Sequence, residues 1–158
     1  MVVTVLRAQE DEFEQLICGM QQAFQQYHEE RFGKTDSIIL PREDILCVLE
    51  GKGTVFYKAV ACGRIIAGAI VTVEEETRNH FLELLYVKHD EQNKGIGSEV
   101  WKQIEALYPD ADVWETCVAS DEVRNVYFYT EKCGFRFADY MNDIPEEERA
   151  VLVLRKYR

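Results

Sequence analysis

The sequence lacks long apolar runs and segments that would divide the chain. None of its 158 residues lies in a stretch approaching the roughly 20 apolar residues of a membrane-spanning helix, so we expect no membrane partner. The first 15 residues carry no basic segment ahead of an apolar one, and we expect no secretory signal peptide. Proline occurs only three times, with no flexible linker or internal repeat, which predicts a single domain over residues 1–158.

Paired cysteines and grouped histidines are also missing. The five cysteines and three histidines are scattered, with no C-x-x-C pair and no ligand spacing: Cys18, Cys47, Cys62, Cys117, Cys133, His28, His80 and His89. The pattern argues against both a disulfide framework and a zinc site, so we predict no metal. Reduced thiols are typical of the cytoplasm, which is the location we expect.

Basic residues are scarce, because 18 Lys and Arg stand against 29 Asp and Glu, for a formal net charge of −11. A field of this sign repels phosphate backbones, and we expect no nucleic-acid partner. The same field would attract a cationic partner, such as an amine. Solubility alone explains the charge equally well, so the composition leaves both interpretations open.

The apolar pattern predicts an α+β domain with a mixed sheet. Runs rich in β-branched and aromatic residues predict seven strands, at 2–7, 54–61, 65–73, 80–87, 112–118, 135–141 and 150–157. Helical spacing and end signals predict four helices, at 10–31, 41–49, 95–107 and 121–132. The short turn at 62–64 indicates a hairpin, and the helix at 95–107 would connect a parallel pair of strands.

The most informative segment is Gln92-Asn93-Lys94-Gly95-Ile96-Gly97, which we call the glycine loop. It follows an apolar strand and opens a helix, whose first amides have no partner inside the helix and whose dipole favours anions. Glycines at 95 and 97 let the backbone approach a phosphate, and Lys94 adds a positive charge. We therefore predict a phosphate or diphosphate site here.

Two better-known phosphate motifs fit poorly. A dinucleotide-binding fingerprint needs a third small residue where Val100 stands, and it belongs to the first strand–helix turn of a domain. A P-loop needs Gly-Lys-Ser/Thr in that order, whereas Lys94 precedes Gly95. A nucleotide-phosphate binder of another fold remains an alternative that the loop alone leaves open.

Together with a second motif, the loop resembles the GNAT superfamily of N-acetyltransferases. The first motif is the strand end Leu85-Tyr86-Val87, a four-residue spacer and the glycine loop. The second is Asn125, then Phe128-Tyr129, then Lys132-Cys133-Gly134-Phe135. The resemblance implies a mostly antiparallel sheet of about seven strands, with a splayed central parallel pair, and about four helices. Many relatives are dimers, so a homodimer is an expectation from the resemblance.

The resemblance also implies acetyl-CoA as co-substrate and an amine as acceptor, joined by direct attack. The residues that it assigns to CoA are the following: Leu85, Tyr86, Val87, Gln92, Asn93, Lys94, Gly95, Ile96, Gly97, Ser98 and Asn125. A backbone amide near Leu85 or Tyr86 would polarise the thioester carbonyl. Asn125 is equally well explained as a helix-start side chain that satisfies backbone donors.

Two side chains are candidates for the proton transfers of such a reaction. Glu83 alternates with Leu85 and Val87, so we expect all three on one face, with Glu83 as the base that deprotonates the amine. Tyr129 is the candidate acid for the departing thiolate. In the family pattern this tyrosine lies four residues before Gly134, at Thr130 of this chain. Either the helix is irregular there, or Tyr129 packs without a catalytic role.

The acceptor site is the least defined part of the sequence. Candidates for its aromatic wall are Tyr27, His28, Phe32, Tyr57 and Trp114, although helical spacing favours core positions for Tyr27 and Phe24. The acidic segment 142–149 would cap a cationic substrate, or is simply solvated. A covalent route through Cys133 is disfavoured, since no histidine lies beside it in sequence. A non-catalytic acyl-CoA-binding module is the alternative function, favoured by the offset of Tyr129.

Overall fold

The structure, a computed structural model, describes residues 1–141 and 150–158. Its strands are β1 (Thr4–Arg7), β2 (Thr54–Ala61), β3 (Arg64–Thr72), β4 (Asn79–Val87), β5 (Val113–Ala119), β6 (Arg136–Tyr140) and β7 (Val151–Tyr157). Its helices are α1 (Phe13–Phe32), α2 (Arg42–Leu49), α3 (Ile96–Leu107) and α4 (Val123–Tyr127), the last continuing as a π-helical turn over Phe128–Lys132. The predicted order of elements is confirmed.

In the described residues the seven strands form one sheet, in the order β1-β2-β3-β4-β5-β7-β6. Every neighbouring pair is antiparallel except β4 and β5, which are parallel. Their ladder is confined to Asn79–Val113, His80–Trp114 and Phe81–Glu115. Beyond the last pair the two strands part, and we call this gap the fork. The predicted mixed sheet with a splayed parallel pair is confirmed.

Helices cover the two faces of the sheet with separate apolar cores. On one side, the α1/α2 face, Leu16, Ile17 and Met20 of α1 are buried with Ile70 and other residues of the sheet. Their spacing of three and four residues keeps them on one side of α1. These contacts fix α1 across β3 and β4, beside the fork.

The opposite side, the α3/α4 face, contains the larger core. Val100, Trp101 and Ile104 of α3 are buried against Leu82 of the central strand, with Phe135 beyond α4. Because only residues 88–95 connect β4 to α3, this packing fixes the beginning of α3, and the glycine loop before it, near the end of β4. Within the described ranges, none of the helices combines the length and apolar character of a membrane-spanning segment.

A β-bulge in β4 changes the alternation of its side chains. Ile70 of β3 pairs with Leu84, but the next residue, Val71, pairs with Leu82, so Glu83 is the extra residue. Leu82 and Leu85 therefore both pack on the α3/α4 face, whereas Leu84 packs on the α1/α2 face. The bulge lies just past the point where β4 and β5 part.

Candidate active site

A cavity of about 450 Å³ lies where the fork, the glycine loop and α4 meet. α1 contributes Ala23, Phe24 and Tyr27 to its wall, and β4 contributes Leu85, Tyr86 and Val87. The remaining lining residues come from the glycine loop and the residue before it, the first turn of α3, α4 and the π-helical turn: Glu91, Gln92, Asn93, Gly95, Ile96, Gly97, Ser98, Arg124, Asn125, Tyr127, Phe128, Tyr129 and Lys132. The structure thus brings together both sequence motifs, which are separated by about one helix and one strand.

The backbone of the glycine loop presents unused donors to this cavity. Asn93 and Gly95 adopt positive φ angles of 65° and 76°, which fold the chain tightly before α3 begins. Among the hydrogen bonds of the described residues, none uses the amides of Ile96, Gly97 or Ser98. The first turn of α3 therefore offers free N–H groups and the positive end of its dipole, which together suit an anion.

The two glycines of the loop are required for different reasons. Gly95 has a left-handed conformation and open space around it, so its role is the turn itself. A Cβ on Gly97 would approach the ring of Phe128 to 3.0 Å and the Val87 side chain to 3.7 Å. Gly97 therefore allows α3 to pack closely against the π-helical turn.

Side chains of the loop brace it from both ends. Gln92 donates to the Val87 carbonyl at the end of β4, at 3.0 Å. Lys94, which we expected to add a positive charge at the phosphate, forms an ion pair with Glu91 at 3.0 Å and is not part of the cavity wall. The cation that does line the cavity beside the loop is Arg124, which sequence reasoning missed.

The strand residues assigned to CoA line the cavity in different ways. Leu85 and Val87 belong to the α3/α4 core, whereas the side chain of Tyr86 crosses to the α1/α2 face. There it lies so close to Gly19 and Gly68 that a Cβ on either would come within 2.7 Å of it. Burial raises the pKa of Tyr86 well above its ordinary value. What Tyr86 can offer a ligand is therefore its backbone.

The offset of Tyr129 has a structural explanation. Residues Phe128–Lys132 form a π-helical turn, closed by a hydrogen bond from the Cys133 amide to the Phe128 carbonyl at 3.1 Å. A π turn holds one more residue than an α turn. The helix is thus irregular at the predicted place, and the turn accommodates the extra residue between Tyr129 and Gly134 while Tyr129 lines the cavity.

The phenol of Tyr129 lies in an apolar environment next to the fork. Burial is the main cause that raises its pKa well above the ordinary value, with Cys133 adding to the effect and hydrogen bonding with Thr116 opposing it. Thr116 is itself buried on β5 and donates to the Leu82 carbonyl of β4 at 2.8 Å. Tyr129 therefore keeps its proton at neutral pH, close to the residues where the two strands part.

Glu83 departs from the alternation that the sequence suggested. Because it is the bulged residue, its carboxylate turns to the α1/α2 face, where it accepts a hydrogen bond from the Thr72 hydroxyl at 3.1 Å. Leu85 and Val87 pack on the other face, so the expected shared face is wrong. Burial raises the pKa of Glu83, and the Thr72 hydroxyl opposes that shift. Cys117 of β5 is a close neighbour, since the Glu83 charge contributes to its raised pKa.

The remaining candidate residues differ in whether they line the cavity. Asn125 and Ser98 line the cavity, whereas Cys133 is buried, and burial raises its pKa to about 12, which leaves little thiolate. Tyr27 and Phe24, for which helical spacing favoured core positions, both line this cavity, and Phe24 also packs against the core on the α1/α2 face. The other aromatic candidates, His28, Phe32, Tyr57 and Trp114, are absent from the cavity wall. Segment 142–149 lies outside the described residues.

Comparisons with known proteins agree with this geometry. The model of the acetyltransferase (GNAT) family matches residues 17–135. Among curated proteins, the chain is 34% identical over 137 residues to the uncharacterized protein YrkN of Bacillus subtilis (strain 168), covering 86% of this chain and 74% of that protein.

Two solved structures share the fold. One is the PaiA N-acetyltransferase of Thermoplasma acidophilum in complex with coenzyme A, with a TM-score of 0.78 and 15% identity over 100% of both chains. The other is spermidine N-acetyltransferase of Vibrio cholerae in complex with CoA and spermine, with a TM-score of 0.72 and 11% identity over 98% of this chain and 95% of that one. Since the family model matches most of the sequence, the chain belongs to the acetyltransferase (GNAT) family.

Proposed function

We propose that this protein, acting as one domain, transfers the acetyl group of acetyl-CoA to a primary amine by direct attack. The observation that carries the proposal is the meeting, in one cavity, of free amides at the start of α3 and the parted edge of β4. The first suits a diphosphate, and the second suits an extended chain that contains amides. Acetyl-CoA has both, in that order, ahead of its thioester.

The residues present fit this co-substrate. The cavity volume of about 450 Å³ lies within the range of small-molecule sites. The amides of Ile96, Gly97 and Ser98 would hold the diphosphate, with Asn93, Gln92 and Asn125 around it. The β4 backbone at 85–87 would pair with the pantetheine arm and direct an amide at the thioester oxygen, which stabilises charge that develops during acyl transfer.

Tyr129 is our candidate for the acid. Transfer forms a bond between the amine nitrogen and the acetyl carbon and breaks the carbon–sulfur bond, so the departing sulfur needs a proton. A phenol with the ordinary pKa of about 10 is protonated throughout the neutral range, and burial raises the pKa of Tyr129 further. The buried thiol of Cys133, with a pKa of about 12, is a poor nucleophile, which favours direct attack over an acetyl-cysteine route.

Glu83 is our candidate for the base, acting from the other face of the sheet. An alkylammonium has an ordinary pKa of about 10.4, so an amine acceptor must lose a proton before it attacks. The Glu83 carboxylate lies on the α1/α2 face at the start of the fork, bonded to Thr72. In this scheme the acceptor approaches from the α1/α2 face, and acetyl-CoA occupies the cavity bounded by α1, the glycine loop and α4.

The acceptor that the charge favours is a cationic amine. The net charge of −11 attracts cations, and the Vibrio cholerae structural relative was solved with the polyamine spermine. That relative is only 11% identical, so it supports the class of acceptor and not its identity. Polyamines, aminoglycosides and the amines of peptides are therefore all members of the panel that should be tested.

The test is release of free CoA thiol from acetyl-CoA in the presence of each amine, with mass spectrometry of the acetylated product. We expect release with at least one amine, and a loss of kcat of about 10²–10⁴ in the Tyr129→Phe variant, as for removal of a general acid. Tyr140→Phe, an exposed tyrosine of β6, is the matched control and should retain full activity.

One result would count against the transferase itself, and another would count only against Tyr129 as its acid. CoA binding without thiol release across the whole panel would indicate the alternative, a non-catalytic acyl-CoA-binding module. A Tyr129→Phe variant with normal turnover at every pH would remove Tyr129 from the mechanism while leaving the transferase intact.

A further inference from the structure

Arg124 joins three elements at the mouth of the cavity. Its Nη2 atom donates to the side-chain oxygens of Gln92 and Asn93, each at 3.1 Å. Its guanidinium carbon lies 5.4 Å from the centre of the Tyr27 ring on α1, a cation–π contact. The guanidinium is therefore held between α1 and the glycine loop, beside the amides that begin α3.

Arg124 is better placed to bind a phosphate in the cavity than the other two cations nearby, Lys94 and Lys132. Lys94 is paired with Glu91 and does not line the cavity. Lys132 lines it from the far end of the π-helical turn, with its ammonium 5.9 Å from the Tyr127 ring. A guanidinium carries five donors in a planar fork that matches phosphate oxygens, and the two loop contacts use one nitrogen.

A second hollow adjoins the cavity and shares Tyr27, Arg124 and Tyr127 with it. It adds Arg31 and Val123, so two guanidiniums and two phenol rings face one concave surface. Glu30 also lies there, and its carboxylate contacts His89 Nε2 at 3.0 Å. Aromatic rings next to two guanidiniums suit a nucleotide, because the base can stack on a ring and the guanidiniums can neutralise the phosphates.

We propose that Arg124 is the side chain that binds the phosphates of CoA, and that the adjoining hollow receives the nucleotide end of the co-substrate. This inference rests on the proposed function. In a chain of net charge −11, a ligand with several phosphates needs a local cation to offset repulsion. Backbone amides alone supply hydrogen bonds without a full charge. Arg124 supplies that charge, and Tyr27 holds it in place.

The experiment compares binding of CoA, 3′-dephospho-CoA and pantetheine to the full chain by calorimetry. We expect Arg124→Gln to raise the Kd for CoA by about 10- to 100-fold, the range for a charge-assisted hydrogen bond, and to leave the weak binding of pantetheine unchanged. In turnover, KM for acetyl-CoA should rise while kcat is retained. Arg64→Gln, the same change at an exposed position on β3, is the control and should match the wild type.

The dephospho-CoA arm separates the two sources of phosphate. If Arg124→Gln loses the same affinity for CoA and for 3′-dephospho-CoA, Arg124 contacts the diphosphate. If the variant loses affinity for CoA alone, Arg124 contacts the 3′-phosphate. The salt dependence of the Kd distinguishes a direct contact between Arg124 and a phosphate from a role in which Arg124 only braces the glycine loop. The Kd of the wild type should rise more steeply with NaCl than that of Arg124→Gln, because the variant has lost one charge contact.

Each negative result has a distinct meaning. If the wild type binds CoA and Arg124→Gln binds it equally well, the Arg124 proposal is overturned and the transferase is untouched. Equal weakening for CoA and pantetheine, or an unchanged salt dependence, would also overturn it, since both indicate a structural role. If the wild type binds no CoA at all, the proposed function fails first.

Discussion

Two ionisable side chains near the fork have opposite tasks in the proposed reaction, and burial shifts both pKa values upward. Tyr129 is protonated at neutral pH, as an acid must be when sulfur departs, and the raised pKa also makes its phenol a weaker acid than an exposed tyrosine. Glu83 becomes a stronger base than an exposed carboxylate, which suits removal of a proton from an ammonium group. Burial favours the neutral form of both groups, which strengthens Glu83 as a base and keeps Tyr129 in its protonated form.

Glu83→Gln should separate activity from stability. The folded-state pKa of Glu83 is raised above its unfolded value, so the folded protein loses stability as pH rises through these two values. Gln carries no charge and avoids that loss. We expect the variant to have a Tm equal to or above that of the wild type at neutral pH, with the difference shrinking at acidic pH, while kcat/KM falls by about 10²-fold or more.

Thermal unfolding and turnover measured over the same pH series check this. The acidic limb of the wild-type kcat/KM profile should disappear in Glu83→Gln. A variant that loses Tm and activity together at neutral pH would instead indicate that Glu83 acts through its bond to Thr72, as a structural residue. Unchanged activity would leave proton removal to water or to another group.

At the scale of elements, the irregular segments position the site. The β-bulge at Glu83 sends its carboxylate to the α1/α2 face, and the π-helical turn keeps Tyr129 on the cavity despite one extra residue. The π-helical turn packs tightly against α3 at Gly97, where a Cβ would lie 3.0 Å from the Phe128 ring. The contact joins the first turn of α3, where we propose that the diphosphate binds, to the turn that carries Tyr129, the candidate acid.

Gly97→Ala should show how tight this junction is. Its Cβ would lie 3.0 Å from the Phe128 ring, so either the ring or α3 must shift. We expect the free energy of unfolding to fall by about 1–3 kcal/mol, the usual cost of overpacking. Urea unfolding of Gly97→Ala, Phe128→Leu and the double variant forms a double-mutant cycle.

We expect the effects of Gly97→Ala and Phe128→Leu on stability to be non-additive. Because leucine lacks the ring edge that the new methyl group meets, the double variant should be more stable than the two single effects predict together. Strictly additive effects would contradict the packing argument, and would place the cost of Gly97→Ala elsewhere in the first turn of α3.

The regular elements of this fold were predictable from the sequence, but the irregular ones were not. Helical spacing at Leu16, Ile17 and Met20 reflects burial on one side of α1, whereas the continuous apolar run of β3 reflects burial on both faces of the sheet. The bulge at Glu83 depends on the register between β3 and β4, which local sequence does not encode. Strict alternation therefore gave the wrong face for this residue.

Arg124 was missed for a related reason. Its contacts with Gln92 and Asn93 join positions about 30 residues apart, and only the packing of α4 beside the glycine loop brings them together. A signal was present, since a basic residue next to Asn125 of the second motif is notable in an acidic chain. The π-helical turn was visible only as the offset of Tyr129, which the sequence left with two explanations.

At the scale of the whole molecule, one sheet separates two approaches to the fork. α3 and α4 cover one face and, with α1, enclose the cavity proposed for acetyl-CoA, while Glu83 faces the α1/α2 side proposed for the amine. The last paired residues of β4 and β5 are Phe81 and Glu115, and beyond them the fork opens between the two proposed approaches. The family membership agrees with this arrangement.

The most direct test of this account is a crystal structure of the protein with CoA. We predict the diphosphate within hydrogen-bonding distance of the amides of residues 96–98, and the pantetheine arm along β4 at 85–87 with its sulfur near the Tyr129 hydroxyl. CoA bound elsewhere, or β4 and β5 paired along their full length with those amides bonded to the protein itself, would contradict it.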